Sequence, residues 1–318
     1  MFPRRGRSGE GKNVVGGCLG AGGLTRCGSR AWHATISGRN PDDRVLPERI
    51  ESMPVMHGAE AYAHDGGSTG VLLCHGFTGS PQSLRPWAEY LASAGLTVSL
   101  PRLPGHGTTW KEMARTRWED WFAEVVRAFD EMQSRCDQIF LMGLSMGGCL
   151  ALRLAERSDG AVRGLVLVNP SLTADNKLLF ALAPALKMLV PSVKGIASDI
   201  KNPAAHEVGY DRTPTRAAAT LPGLWKSTQQ HLGTLTQPVL VYHSTVDHVV
   251  GPASIKLLTA ALRPGQLEVR ELADSYHVAT LDNDAEAIFA GSLKFVQIHS
   301  QASRESTGDA SREPTGRE

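Results

Sequence analysis

From about residue 60 to residue 300, short uninterrupted apolar runs alternate with longer stretches whose apolar residues recur at helical spacing. Runs of this kind suit strands buried on both faces, and their alternation with amphipathic segments predicts an α/β fold: a mostly parallel central sheet with helices on both faces. The predicted strands are Val71 to Cys74, Thr97 to Leu100, Ile139 to Met142, Val162 to Val168, Val239 to Tyr242 and Leu267 to Leu272. Predicted helices cover Ser83 to Ala94, Trp118 to Arg135, Met146 to Arg157, Ala253 to Leu262 and Asp284 to Ile298. Thr116 and Glu119 stand three apart ahead of the second helix, the spacing of a capping box. The alternation breaks between Ser171 and about Leu235, where no strand is evident although both flanks read as sheet. An interval that long carries structure of its own, so it is expected to be a cap inserted at about 171–235.

The ends read differently. The first 40 residues are rich in arginine and glycine and lack apolar periodicity, so residues 1–60 are expected to form a disordered extension. They resemble a transit peptide in charge but not in having a helical face, and a true start at Met53 or Met56 fits equally well. The polar near-repeat "ASRESTG" and "ASREPTG" predicts a disordered tail over 301–318, leaving one domain over 61–300.

Lys plus Arg number 33 against 32 Asp plus Glu, a formal charge of +1 that gives no electrostatic reason to expect nucleic acid as a partner. The five cysteines are scattered and form no C-x-x-C pair, which fits reduced thiols and a cytoplasmic location. The most apolar window, "LLFALAPALKMLVP" at 178–191, is interrupted by Pro184 and Lys187 and is too short to span a bilayer. It could instead line an apolar tunnel, touch a lipid surface transiently, or pack on the sheet.

Chemistry concentrates in "GLSMG", Gly143 to Gly147, which follows one predicted strand and precedes one predicted helix. That is the context of the G-x-S-x-G nucleophile elbow, in which a serine sits on a strained turn between two residues that must be small. A serine hydroxyl needs a histidine base, and the histidine needs a carboxylate to fix its tautomer. Chain order in such sites runs serine, acid, histidine, which selects His277 in "DSYHVATLD" and Asp247 in "VYHSTVDHVV". Asp274 is the rival acid, but only three residues before His277 it would have difficulty reaching Nδ1 from behind the ring. Developing negative charge on the substrate oxygen requires two backbone N–H groups. Met146, after the serine, and Phe77, in the strand-exit loop "LLCHGFTGS", are the expected donors. The reaction calls for no metal and no organic cofactor.

With these residues in order, the chain resembles the bacterial monoacylglycerol lipases and allied carboxylesterases of the α/β-hydrolase superfamily from about Gly70 to Phe295. The likeness rests on "HGFTGSPQSLRPWAEYLASAGLTVSLPRLPGHG", "GLSMGG", "SDIKNPAAHEVGYDRTP", "DHVV" and "SYHVATLDND". It implies Ser145 as nucleophile with Asp247 and His277, Phe77 and Met146 as oxyanion donors, and a cap over an acyl pocket. It also implies that Ile196 and Glu207, aligned through "GIASDIKNPAAHEV", contact the glycerol head of the substrate. The segment "LTADNKLLFALAPALKMLVPSV" matches the family least, and cap residues govern which ester fits. Three other readings stay open: a short-chain carboxylesterase without glycerol preference, a hydrolase-fold ligand-binding protein, and an acyl transferase.

Overall fold

The computed structural model describes residues 54–158, 160–174, 190–195 and 198–308. Seven strands form one sheet in the order β1 (Tyr62–His64), β3 (Thr97–Leu100), β2 (Thr69–Cys74), β4 (Gln138–Leu144), β5 (Val162–Val168), β8 (Val239–Ser244) and β9 (Leu267–Leu272). β1 pairs antiparallel with β3, and every other pairing in this sheet is parallel. Strand periodicity divides the apolar side chains between two cores. Leu72, Leu141, Leu165, Leu167 and Val241 face one side, packed under α3 (Trp118–Gln133) and α4 (Met146–Ala155). Val71, Leu73, Phe140, Met142, Val166 and Leu240 face the other, under α1 (Arg85–Ser93) and the helix Ala285–Gly308. Both faces of β2, β4, β5 and β8 are thus covered, as the unbroken apolar runs predict.

Several expectations are corrected. Leu267–Leu272 is a strand but an edge one, mostly exposed, in which Leu272 alone is buried and Leu267 packs partly on the opposite core, so "LEVREL" is not a fully buried run. The helix over 118–133 is capped one residue later than the Thr116 and Glu119 spacing suggests: Arg117 N–H donates to the Asp120 carboxylate at 2.8 Å. Thr116 Oγ1 instead donates to Met113 O and accepts from Trp121 Nε1. The folded region begins before residue 61, since Ala59 is buried and Met56 N–H donates to Gly107 O at 2.8 Å. It also passes 300, because the last helix continues to Gly308. Residues 1–53 and 309–318 lie outside the described residues. The interval between β5 and β8 does contain strands: β6 (Ser192–Lys194) and β7 (Arg212–Pro214) form an antiparallel ribbon with Val193 opposite Thr213. It is followed by helices Thr215–Ala218 and Leu221–Gln229.

Cys74 and Cys149 are buried thiols, each pushed up to about 12 by burial, and Cys136 is half-buried. Among the described residues no helix is long and apolar enough to cross a membrane. Most of the apolar window at 178–191 lies outside the described residues.

Candidate active site

The chain crosses from β3 past β2 to β4, so the direction of strand addition reverses between β2 and β4. Ligand crevices form at the carboxyl ends of strands at such reversals. Cys74, last in β2, pairs with Gly143 of β4, which sets the loop after β2 beside the turn after β4. A Cβ placed on Gly76 would lie only 3.6 Å from that of Ser145.

Ser145 occupies a left-handed backbone conformation, φ 57° and ψ −119°, which a residue with a side chain adopts only when its surroundings impose it. Here they do: Ser145 N–H donates to Val168 O at 2.9 Å, and Ser145 O accepts the N–H groups of Gly148 and Ser171 at 3.0 Å. The flanking glycines are demanded by contact. A Cβ on Gly143 would overlap the Gly147 carbonyl, and one on Gly147 would overlap the Cys74 carbonyl. Met146 opens α4, so its N–H has no acceptor within the helix.

The loop after β2 is held by its histidine. His75 Nδ1 donates to Gly76 O at 3.0 Å, and Nε2 accepts the Leu103 N–H at 3.2 Å. Burial lowers His75 to about 4, overriding the Gly76 bond, with the Arg102 charge acting in the same direction. It is therefore neutral across the working pH range, with the tautomer set by its two partners. Phe77 packs its ring on Trp121, centroids 5.5 Å apart, and Thr78 turns the chain at φ 64°.

His277 and Asp247 meet as the chain order predicts: Nδ1 lies 2.7 Å from Oδ2, with both side chains almost fully enclosed. The other carboxylate oxygen accepts the N–H groups of Val249 and Val250 at 2.8 and 2.7 Å. Burial acts to raise Asp247, but the His277 hydrogen bond and charge and the two N–H donors outweigh it, holding the carboxyl below its ordinary value. Asp274 goes elsewhere, its Oδ1 2.6 Å from Lys201 Nζ at the surface. His248 turns toward Asp199.

A cavity of about 340 Å³ brings the pieces together: Phe77, Ser145, Met146, Glu207 and His277 all line it. The enclosed carboxyl of Glu207 would be met by any side chain at Gly79 and is pushed up to about 7 by burial, against the opposing pull of His277 and Ser83. Ile196 lies outside the described residues. The stretch bearing Glu207, between β6 and β7, is tied to the loop after β2. Tyr210 N–H donates to Thr78 O at 3.0 Å, Val208 N–H to Gln82 Oε1 at 2.9 Å, and Ser80 Oγ to Val208 O at 2.6 Å.

The sequence matches the family model "Serine aminopeptidase, S33" over residues 68–284, most of the chain. The chain belongs to this hydrolase family. Among its relatives, the thermostable monoacylglycerol lipase of Bacillus sp. (strain H-257) is 41% identical over 78% of this chain and 98% of its own length. A carboxylesterase of Bacillus subtilis (strain 168) is 23% identical over 74% of this chain and 95% of its own. Of solved structures, one from the work on the metagenome-derived lipolytic enzymes LipS and LipT superposes with a TM-score of 0.75. It is 39% identical and covers 77% of this chain and all of that one. The Paleococcus ferrophilus monoacylglycerol lipase, at 23% identity and a TM-score of 0.64, shares the fold. The α/β-hydrolase fold and the kinship with bacterial monoacylglycerol lipases expected from the sequence both hold.

Sequence reasoning passed over Asn169, which this hydrolase places at the end of β5 with φ 43°. Its amide donates to His277 O at 2.8 Å and to Ser244 Oγ at 3.0 Å, while its oxygen accepts Ser244 N–H at 2.8 Å. No motif announces it. A left-handed asparagine after a strand was the available signal.

Proposed function

We propose that this hydrolase cleaves carboxylic esters through a Ser145 acyl-enzyme, with monoacylglycerols as its substrates. The observation that carries the reading is the 2.7 Å His277–Asp247 pair opening into the same cavity as the strained Ser145 elbow. His277 takes the Ser145 proton as the hydroxyl attacks the ester carbonyl, and Asp247 stabilises the resulting imidazolium. The N–H groups of Phe77 and Met146 receive the oxyanion, each donor contributing on the order of 3 kcal/mol to the transition state. Protonated by His277, the alcohol leaves. Water then attacks the acyl carbonyl with His277 again as base, releasing the fatty acid and restoring Ser145.

The alcohol assignment rests on Glu207 and on the relative at 41% identity that is named a monoacylglycerol lipase. A carboxyl near neutrality can both donate to and accept from the two hydroxyls of a glycerol head. Apolar side chains, among them Leu144, Leu221 and Trp225, line the same cavity and suit an acyl chain. Val249, in the cavity wall, and Val193, next to the wall residue Lys194, are exposed and offer contacts to a lipid surface.

Ser145→Ala is expected to abolish hydrolysis of 1-monooleoylglycerol while leaving thermal unfolding unchanged. More than a trace of remaining turnover would refute the assignment. Glu207→Ala should raise KM for the monoacylglycerol far more than for p-nitrophenyl butyrate. Equal effects on both would favour a short-chain esterase, and ligand-induced stabilisation of the wild type without turnover would favour a binding protein.

A further inference from the structure

The cap touches the His277 loop through two carboxylates that cross in opposite directions. Asp199 belongs to the cap, immediately after Ser198, which is held at φ 52° and accepts the Glu207 N–H on its hydroxyl at 3.0 Å. One Asp199 oxygen accepts the backbone N–H groups of His248 and His277, both at 3.2 Å. Its other oxygen accepts the His248 Nδ1–H at 2.8 Å, and the Asp199 carbonyl accepts Val278 N–H at 3.0 Å. Asp282 answers from beyond the histidine. Its carboxylate accepts Lys201 N–H at 2.7 Å and Asn202 N–H at 3.0 Å from the cap, together with Tyr276 N–H at 2.9 Å from its own loop. The Asp199 side chain is 10% exposed and Asp282 5%, so their bonds to the His277 and Tyr276 N–H groups are shielded from water as the exposed Lys201–Asp274 pair is not, while the His248 ring lies at the surface.

Position gives Asp199 its importance. It bonds to the residue after Asp247 and to His277 itself, and so bridges the two loops whose side chains must meet at 2.7 Å. The His277 loop is also held to the cap by Asp282, whereas the Asp247 loop reaches the stretch that carries Glu207, whose N–H shares the Ser198 turn, through the Asp199 bonds to His248. We propose that Asp199 is a positioning residue: delivered by the cap, it sets the register of the Asp247 and His277 loops, so that the histidine is correctly aimed only when the cap is seated. This rests on the reading of Ser145 and His277 as nucleophile and base. Misplacing a catalytic base by an ångström can cost about 100-fold in rate.

The test compares Asp199→Ala, Asp199→Asn and, as a cap-surface control, Lys201→Ala. Three readouts are needed: steady-state kinetics on 1-monooleoylglycerol, the rate of Ser145 labelling by a fluorophosphonate, and the downfield proton NMR resonance of the His277–Asp247 hydrogen bond. Asp199→Ala is expected to lower kcat by about 10- to 100-fold with KM changed less than about threefold. Fluorophosphonate labelling should slow in parallel, and the downfield resonance should broaden or vanish. Asp199→Asn, which retains one acceptor oxygen, should recover part of each, and Lys201→Ala should match the wild type. If Asp199→Ala does not fold, the asparagine variant decides by the same readouts. The proposal is overturned if labelling and resonance stay at wild-type values while only KM rises, for then Asp199 merely holds the cap over substrate. It is equally overturned if Lys201→Ala reproduces the loss. Labelling and the resonance do not depend on which ester is the substrate, so failure here is separable from failure of the monoacylglycerol reading; an unlabelled Ser145 in the wild type would instead defeat the nucleophile assignment.

Discussion

Replacing Glu207 by glutamine should stabilise this hydrolase above neutrality and do little in acid. Burial raises the Glu207 carboxyl from 4.5 to about 7, so the folded state holds a proton that the unfolded chain has released. Where the native state binds more protons, stability falls as pH rises. It is therefore fullest below pH 4.5, declines between 4.5 and 7, and carries the whole penalty above 7. At about 1.4 kcal/mol per tenfold change in proton affinity, the full penalty is on the order of 3 kcal/mol. Only about 1 kcal/mol of it has developed at pH 5. Glutamine has no charge to desolvate, so its advantage over glutamate should grow by about 2 kcal/mol between pH 5 and pH 8. For a domain of this size that is a widening of roughly 4–8 °C in the difference between unfolding midpoints. Thermal unfolding of both proteins at the two pH values, at matched ionic strength, reads it directly. A difference in midpoint that is the same at pH 5 and pH 8 would refute the argument, because it would mean Glu207 titrates alike in both states.

Two further substitutions probe the scaffold. Gly147→Ala forces a methyl group into the Cys74 carbonyl and should cost about 3 kcal/mol or more, whereas Gly148→Ala meets Pro170 at 3.1 Å and the Gly143 carbonyl at an ordinary 3.4 Å and should stay within about 1 kcal/mol of wild type in urea unfolding. Asn169→Ala strands the Ser244 N–H and the His277 carbonyl and places alanine at φ 43°, an expected loss of about 3–5 kcal/mol by the same measurement; a loss under 1 kcal/mol would show that water replaces the amide.

The sheet was legible because its central strands are apolar on both faces, which leaves a run in the sequence that no surface segment shares. Legibility ended where elements are very short. β1, β6 and β7 have three residues each, too few to show a period, whereas β9 was read with its bounds Leu267–Leu272 and only its exposure at the edge was not. The cap frame at Arg117 and Asp120 was missed by one residue because charged residues crowd that turn and several spacings fit. In the site, Ser145, Asp247 and His277 could be read since the chemistry fixes residue type and the fold fixes order. Asp199, Asp282 and Asn169 could not. Their bonds to the two catalytic loops go mainly to backbone N–H and C=O groups, which every residue possesses, so little about the partner's identity points back to them.

β5 and β8 are parallel neighbours in the sheet, with Leu165 opposite Val239 and Val168 opposite Tyr242, so everything between them leaves at the carboxyl end of β5 and returns at the amino end of the strand beside it. The entropy of closing such an excursion grows only logarithmically with its length, about 0.6 kcal/mol for each doubling. Evolution can therefore exchange the segment between β5 and β8, and with it the ester that fits, while the sheet below registers almost no change. What a transplanted segment must still bring is an acceptor for the His277 N–H. A chimaera that lacks one would fold, bind its new substrate and turn it over slowly, with the fault lying in the graft and not in the residues that react.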